Sequence, residues 1–249
     1  MTMKDSALVG QETINQARTE EIVRAFVGLA DTLVADFDIV ELLDRLSRAC
    51  VATLQVSAAA ILLDNQKGRL VVVASSSEES RLVEVAQLQN DQGPCLDCVR
   101  TGSVVVSDDL TRDTARWPLF ARAAIDAGFS SVVSLPLRLR DQTIGGLNLF
   151  QSGAAPISPS DRAIAQGLAD VATIGILQQR SRHRSELLAE QLQSALTSRV
   201  LIEQAKGVVA EREGLDMAAA FELLRKVARD TNAKLTDVAR STVEGVAGP

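Results

Sequence analysis

Two apolar runs, FSSVVSLPLRL at residues 129–139 and TIGGLNLFQ at residues 143–151, are separated only by Arg140-Asp141-Gln142. Parallel neighbours need a crossover of about a dozen residues or more, so a link this short implies an antiparallel hairpin. A second pair repeats the arrangement. SAAAILLD (57–64) and GRLVVVASS (68–76) meet across Asp64-Asn65-Gln66-Lys67-Gly68, a stretch rich in turn formers. TGSVVVSDDL (101–110) reads as a further strand. Before this block, residues 37–54 carry Ile39, Leu42, Leu43, Leu46, Ala49 and Cys50 at helical spacing. After it, Pro156 and Pro159 break the pattern, and Ser160-Asp161 opens another helix. The expected fold class is α+β: a mainly antiparallel sheet flanked by helices.

The helical pattern does not stop where such a domain would. Ile174, Leu177, Leu188, Leu192, Ala195 and Ile202 fall at combined three- and four-residue steps, interrupted by Arg184 and Arg199. A connecting helix that dimerises and a solvated linker helix both fit this imperfect seam. Three helices follow from the punctuation of the tail. Gly214 closes the first, Asp216 caps the second (MAAAFELLRKVARD), and Asn232 separates it from a short third (LTDVARSTVEG). On a helical wheel Leu201, Ile202, Ala205, Val208 and Val209 share a stripe. Met217, Ala220, Phe221, Leu224, Val227 and Ala228 form the inner face of the second helix, and Leu235, Val238, Ala239 and Thr242 that of the third.

Charge and composition narrow the function classes. The 249 residues carry 26 Lys+Arg against 32 Asp+Glu, a net −6 that gives no global signature for nucleic acid or membrane. From Arg199 onward basic and acidic residues are equal in number, so any polyanion site there depends on local clustering. The apolar runs fall short of the roughly 20 residues that span a bilayer. Three cysteines do not make a disulfide scaffold. The chain is expected to be soluble and cytoplasmic, with no membrane partner.

Gly207 sits inside the helical stretch RVLIEQAKGVVAERE, on the side opposite the apolar stripe. A helix-interior glycine costs about 1 kcal/mol relative to alanine. A bare face there would let another helix, a second subunit or a nucleic-acid backbone come close. Lys206 lies at the edge of the stripe with Arg199 two turns earlier, and Arg225, Lys226 and Arg229 project together from the next helix.

The segment RVLIEQAKGVVAEREGLDMAAAFELLRKVARDTNAKLTDVA resembles the ANTAR domain, an RNA-binding module of bacterial transcription antiterminators. The resemblance rests on Ile202, Ala205-Lys206-Gly207, Ala220-Phe221, Leu224-Arg225, Ala228, Leu235 and Val238-Ala239. It implies an all-α three-helix domain that binds paired RNA hairpins as a homodimer, with Lys206 and Arg225 in contact with RNA. The wheel adds Arg199, Lys226 and Arg229. Phe221 is the tail's only aromatic residue and faces inward, which favours phosphate and shape contacts over base stacking.

AAAILLD, ASSSEES, DQGPCLDCVRTG, RWPLF, GFSSVVSLPL, IGGLNLF and DRAIAQGLADVA resemble a GAF sensory domain of the actinobacterial type that precedes ANTAR. Such domains bind small molecules or haem, or act as dimer scaffolds; no particular cofactor is implied. The expected layout is an N-terminal arm (1–24), a GAF domain (25–177), a connecting and possibly coiled-coil helix (178–198) and an ANTAR domain (199–249). Cys95 and Cys98 have redox-pair spacing after the loop Gln92-Gly93-Pro94, and Trp117, on a loop, either covers a ligand pocket or plugs the core. No metal site is expected, since Cys50 and His183 lie far from that pair. Phosphate-cradling loops and nucleophile–His pairs are lacking. The expected function is therefore a signal-responsive RNA-binding regulator of transcription antitermination rather than an enzyme. The alternatives are a cysteine-dependent methionine sulfoxide reductase of GAF fold and a protein-interaction scaffold without RNA affinity.

Overall fold

The computed structural model describes the backbone of residues 3–33 and 37–245. The chain divides into two compact units, one ending at Gln178 and the other beginning at Gln179.

In the first unit, helices α1 (Met3–Thr32) and α2 (Ile39–Thr53) precede strands β1 (Ala58–Asp64) and β2 (Leu70–Ser75). Helices α3 (Glu78–Gln89) and α4 (Pro94–Thr101), strand β3 (Val105–Ser107), helix α5 (Pro118–Asp126) and strands β4 (Ser131–Leu139) and β5 (Gln142–Gln151) follow. The strands form one antiparallel sheet in the order β2-β1-β5-β4-β3. The β4–β5 hairpin is tighter than its sequence implies. Gln142 is already paired with Leu139, and Arg140 takes a left-handed φ of 53° to close the turn.

One face of the sheet holds Ile61, Leu63, Leu135, Leu137, Leu147 and Leu149 against α1, α2 and the start of α6 (Pro159–Glu213). Asp38 caps α2 by accepting from the Val40 and Glu41 backbone N–H groups. Residues 1–24, whose weak polar pattern fits either a frayed arm or the start of a helix, fall in α1 from Met3 onward. The chain leaving α1 lies close to α6: a Cβ at Gly175 would fall 2.1 Å from a methyl of Leu33, so a larger residue there would require that side chain to move. Arg18 of α1 also pairs with the buried Asp161 in the first turn of α6.

The opposite face carries Ala58, Ala60, Val132 and Phe150 beneath α3, α4 and α5. None of these three helices was expected. Each helix spans at most 12 residues, too short for a strong periodic signal. The strand expected over 101–110 contracts to β3. Gly102, at φ 63°, terminates α4, and Asp109 folds back to accept from the Thr111 N–H, so the extended backbone ends at Ser107.

The second unit contains the remainder of α6, α7 (Met217–Asp230) and α8 (Leu235–Glu244). Gly214 (φ 66°) and Asn232 (φ 53°) make the two turns, and Asp216 accepts from the Ala219 N–H. The backbone N–H groups of Asn232 and Ala233 return to Arg229 and Ala228 carbonyls, closing the end of α7. Ala205, Val209, Ala220, Leu224 and Ala239 form the core, with alanines at three of its five positions letting the backbones approach. Met217 and Val227, expected inside, are exposed. Burial on α7 narrows to the i, i+4 stripe of Ala220, Leu224 and Ala228, leaving Met217 in the open first turn and Val227 on the flank.

Candidate nucleic-acid interface and sensory interior

In the second unit, helix α6 presents Lys206 and α7 presents Phe221 and Arg225, one turn apart on the same side. The Lys206 ammonium lies 5.5 Å from the centroid of the Phe221 ring, and the Arg225 guanidinium carbon lies 5.8 Å from it. Both are within the roughly 6 Å at which a cation feels a ring's quadrupole. Each cation also has a carboxylate three residues before it: Glu203 at 2.9 Å from Lys206, and Glu222 at 3.0 Å from Arg225. The Lys206 side chain is only 17% exposed, its stem lying along the apolar surface.

Arg199, Lys226 and Arg229 are exposed on α6 and α7. The fold therefore brings Lys206 and Arg225 to one ring and leaves these three basic residues as separate surface charges. Gly207 is exposed, with nothing of this chain within 4 Å of the position a Cβ would take. Phe221 is half-buried rather than wholly internal.

In the first unit, Cys95 and Cys98 stand on α4, since Pro94 already opens that helix after the expected loop. Both thiols are free and buried, as is Cys50. Burial pushes Cys98 and Cys50 up to about 12 and raises Cys95 well above its ordinary value. All three are thus protonated and poorly nucleophilic at neutral pH. Trp117 ends the turn segment before α5, as the sequence suggested. It caps α5 from inside the core, edge-on to Phe120, and its indole N–H donates to Asp97 at 3.0 Å.

Beside Cys95 lies a polar cluster that the sequence reading missed. The Ser134 hydroxyl donates to the Asn148 side-chain oxygen at 2.5 Å, and the Asn148 amide donates to Glu84. Gln87 donates to the other Glu84 oxygen at 2.5 Å and accepts from the Cys95 backbone N–H at 2.9 Å. Gly93, at φ 147°, keeps the chain clear of Gln87, whose oxygen would lie 2.1 Å from any Cβ there. Glu84 is completely buried and has no cationic partner in this cluster. Desolvation raises its carboxyl to about 8, against the lowering effect of the Asn148 and Gln87 hydrogen bonds. Such a group holds or releases a proton near neutrality. The one visible clue was Asn148, a lone amide inside the apolar run GGLNLF. Among the described residues no three His, Cys, Asp or Glu side chains cluster as a metal site, and no helix is long and apolar enough to cross a membrane.

A five-stranded antiparallel sheet in this order with helices on both faces defines an α+β domain. Residues 38–177 match the model of the GAF domain, and the chain belongs to that family. Residues 190–243 match the ANTAR domain, so the chain joins a GAF domain to a module of the RNA-binding antitermination type. This architecture is typical of regulators.

Solved structures bear out the fold. The GAF domain of a phosphoenolpyruvate-protein phosphotransferase from Acinetobacter is 16% identical with a TM-score of 0.51, over 64% of this chain and 94% of that one. The corresponding domain from Coxiella burnetii is 13% identical with a TM-score of 0.52, over 66% and 98%. Free methionine-R-sulfoxide reductase from Neisseria meningitidis, solved with its substrate, is 16% identical with a TM-score of 0.52, over 65% and 91%. No curated protein matches the sequence at a significant level.

Proposed function

We propose that this protein is a cytoplasmic, signal-responsive regulator of transcription antitermination. Its GAF domain senses a small molecule or a redox state, and its ANTAR domain binds hairpin RNA as a homodimer. The observation that carries the reading is the convergence of Lys206 and Arg225 on one ring within the segment that matches ANTAR. Arg199, Lys226 and Arg229 supply further phosphate contacts around them.

The surface of α6 supports assembly with a second copy. Leu188, Leu192, Leu196 and Val200 recur every four residues and are 56%, 58%, 59% and 58% exposed. Residues four apart share a helix face, so this is a continuous apolar stripe in contact with water. For the sensory role, the buried cluster of Glu84, Gln87, Asn148 and Ser134 supplies hydrogen-bonding groups that a ligand or a proton could engage. Cys95 and Cys98 remain the redox candidates, although their burial works against fast thiolate chemistry and against the reductase alternative.

The test is to sequence RNA that co-purifies with the protein from its own cells, then measure how binding depends on salt. Each phosphate neutralised contributes about −0.7 to the slope of log K against log salt on single strands. Lys206→Ala and Arg225→Ala should each weaken binding and flatten that slope by somewhat less than one unit, with helicity by circular dichroism unchanged. A slope identical to the parent's would remove that residue from the interface. Failure to recover any RNA would favour the scaffold reading.

A further inference from the structure

We infer that Phe221 is a positioning residue for phosphate recognition: its ring fixes Lys206 and Arg225 as one paired cation site, with Glu203 and Glu222 as the resident counter-ions that an RNA phosphate displaces. This deepens, and rests on, the RNA-binding reading above.

The geometry separates two kinds of partner. The ring partner is built in. Phe221 is half-buried on α7, next to the core residue Ala220 and one turn before the core residue Leu224, so the helix that carries the ring is fixed by its packing against α6. A cation on the ring still has most of its hydrogen-bonding directions free, because an aromatic face takes no N–H donor capacity that a phosphate oxygen needs. The carboxylate partners are exchangeable. Glu203 and Glu222 are 53% and 61% exposed, and each pairs with its cation from three residues earlier on the same helix. Exposed pairs of this kind are weak and screened by salt.

A phosphate therefore meets two cations that are held in place but only loosely neutralised. Displacing Glu203 and Glu222 costs little, and the released carboxylates return to water. In a tail whose charges balance overall, these two glutamates also suppress indiscriminate polyanion binding. Lys206 is on α6 and Arg225 on α7, so the ring is the common contact that couples them across the two helices.

The experiment uses the full-length protein and two probes: a pool of RNA hairpins with randomised loops, and inorganic tripolyphosphate. Phe221→Leu keeps apolar volume and removes the ring; Phe221→Tyr keeps the ring. Phe221→Leu should bind both probes roughly fivefold to twentyfold more weakly, and Phe221→Tyr should restore binding to near the parent's. Glu203→Gln and Glu222→Gln should each tighten binding by roughly twofold to fivefold. A double-mutant cycle of Lys206→Ala with Arg225→Ala should show coupling in the parent and none in the Phe221→Leu background.

Thermal melts of every variant accompany the titrations, so that a folding defect is seen directly. Equal affinities for Phe221→Leu and Phe221→Tyr, or coupling that survives loss of the ring, would overturn the inference while leaving RNA binding intact. Tripolyphosphate binding with the expected Phe221 dependence, but no hairpin binding, would uphold the paired cation site and overturn the RNA reading. Neither probe binding the parent would overturn both.

Discussion

The first unit hides polar groups, whereas the second displays apolar ones. Beneath α3 and α4, Glu84, Gln87, Asn148 and Ser134 are fully buried and bonded to one another. Along α6, Leu188, Leu192, Leu196 and Val200 face water. Both arrangements run against the usual partition, and both carry a cost: desolvation of the carboxyl in one, exposed hydrocarbon in the other. The difference teaches where each unit is incomplete. In the sheet unit the Glu84 cluster is bonded within itself, so a signal there must compete with hydrogen bonds already made. The second unit leaves its apolar stripe uncovered within one chain, and this is the surface on which the proposed second copy would dock. Acidic residues follow the same division. Glu84 is locked inside and shifted in its titration, while Glu203 and Glu222 sit on the surface as exchangeable counter-ions.

The comparison breaks most severely if the exposed stripe is not an interface. Burying a leucine side chain contributes about 1.5–3 kcal/mol, so replacing Leu188 and Leu192 together with Lys removes several kcal/mol from a dimer built on them. Sedimentation should then report monomers where the parent is dimeric. An unchanged dimer would place the interface elsewhere, on the GAF domain first.

The buried carboxyl gives the next largest effect. The folded state holds Glu84 at about 8, above the ordinary value of 4.5, so folding favours its protonated form. The stability this contributes is fully present below about 4.5 and is lost as pH rises through about 8. Within that window the slope approaches about 1.4 kcal/mol per pH unit, the linkage of one proton. Trp117, the only tryptophan, lies in the same unit, so urea unfolding followed by its fluorescence isolates the effect. Glu84→Gln should flatten that component of the profile. A parent whose midpoint does not move with pH would show that Glu84 is not held neutral.

The smallest effect sharpens the contrast on the other side. Gly207 has open space around it, so Gly207→Ala should stabilise α6 by about 1 kcal/mol. If the bare face receives a partner, the more stable variant should bind RNA less well. Stability and affinity rising together, or affinity staying constant, would show that the glycine serves no contact.

The sequence by itself determined the features set by turn chemistry and caps between near neighbours. Short links fixed the antiparallel hairpins, because connections of two to five residues are too short for a parallel crossover. Gly214, Asp216 and Asn232 punctuated the tail into three helices, because left-handed turns and side-chain caps act within a few residues. The basic residues of the proposed interface were legible too, Lys206 and Arg225 through resemblance to a known module and Arg199, Lys226 and Arg229 through the helical wheel.

Only the tertiary structure decided which residues meet across the chain. Glu84 and Asn148 are 64 positions apart, and no periodicity in either segment announces their hydrogen bond. Helices α3, α4 and α5 take their place from the sheet face they cover, since isolated helices this short are marginal in water. Val227 lies on the computed inner arc of its wheel yet stays exposed, because a wheel gives direction but not the width of the neighbour that fills it. Lys206 and Arg225 could be named from the sequence, but their meeting on Phe221 required two helices to pack. That packing is set by small residues at the contact, Ala205 and Ala220, and not by the charges themselves.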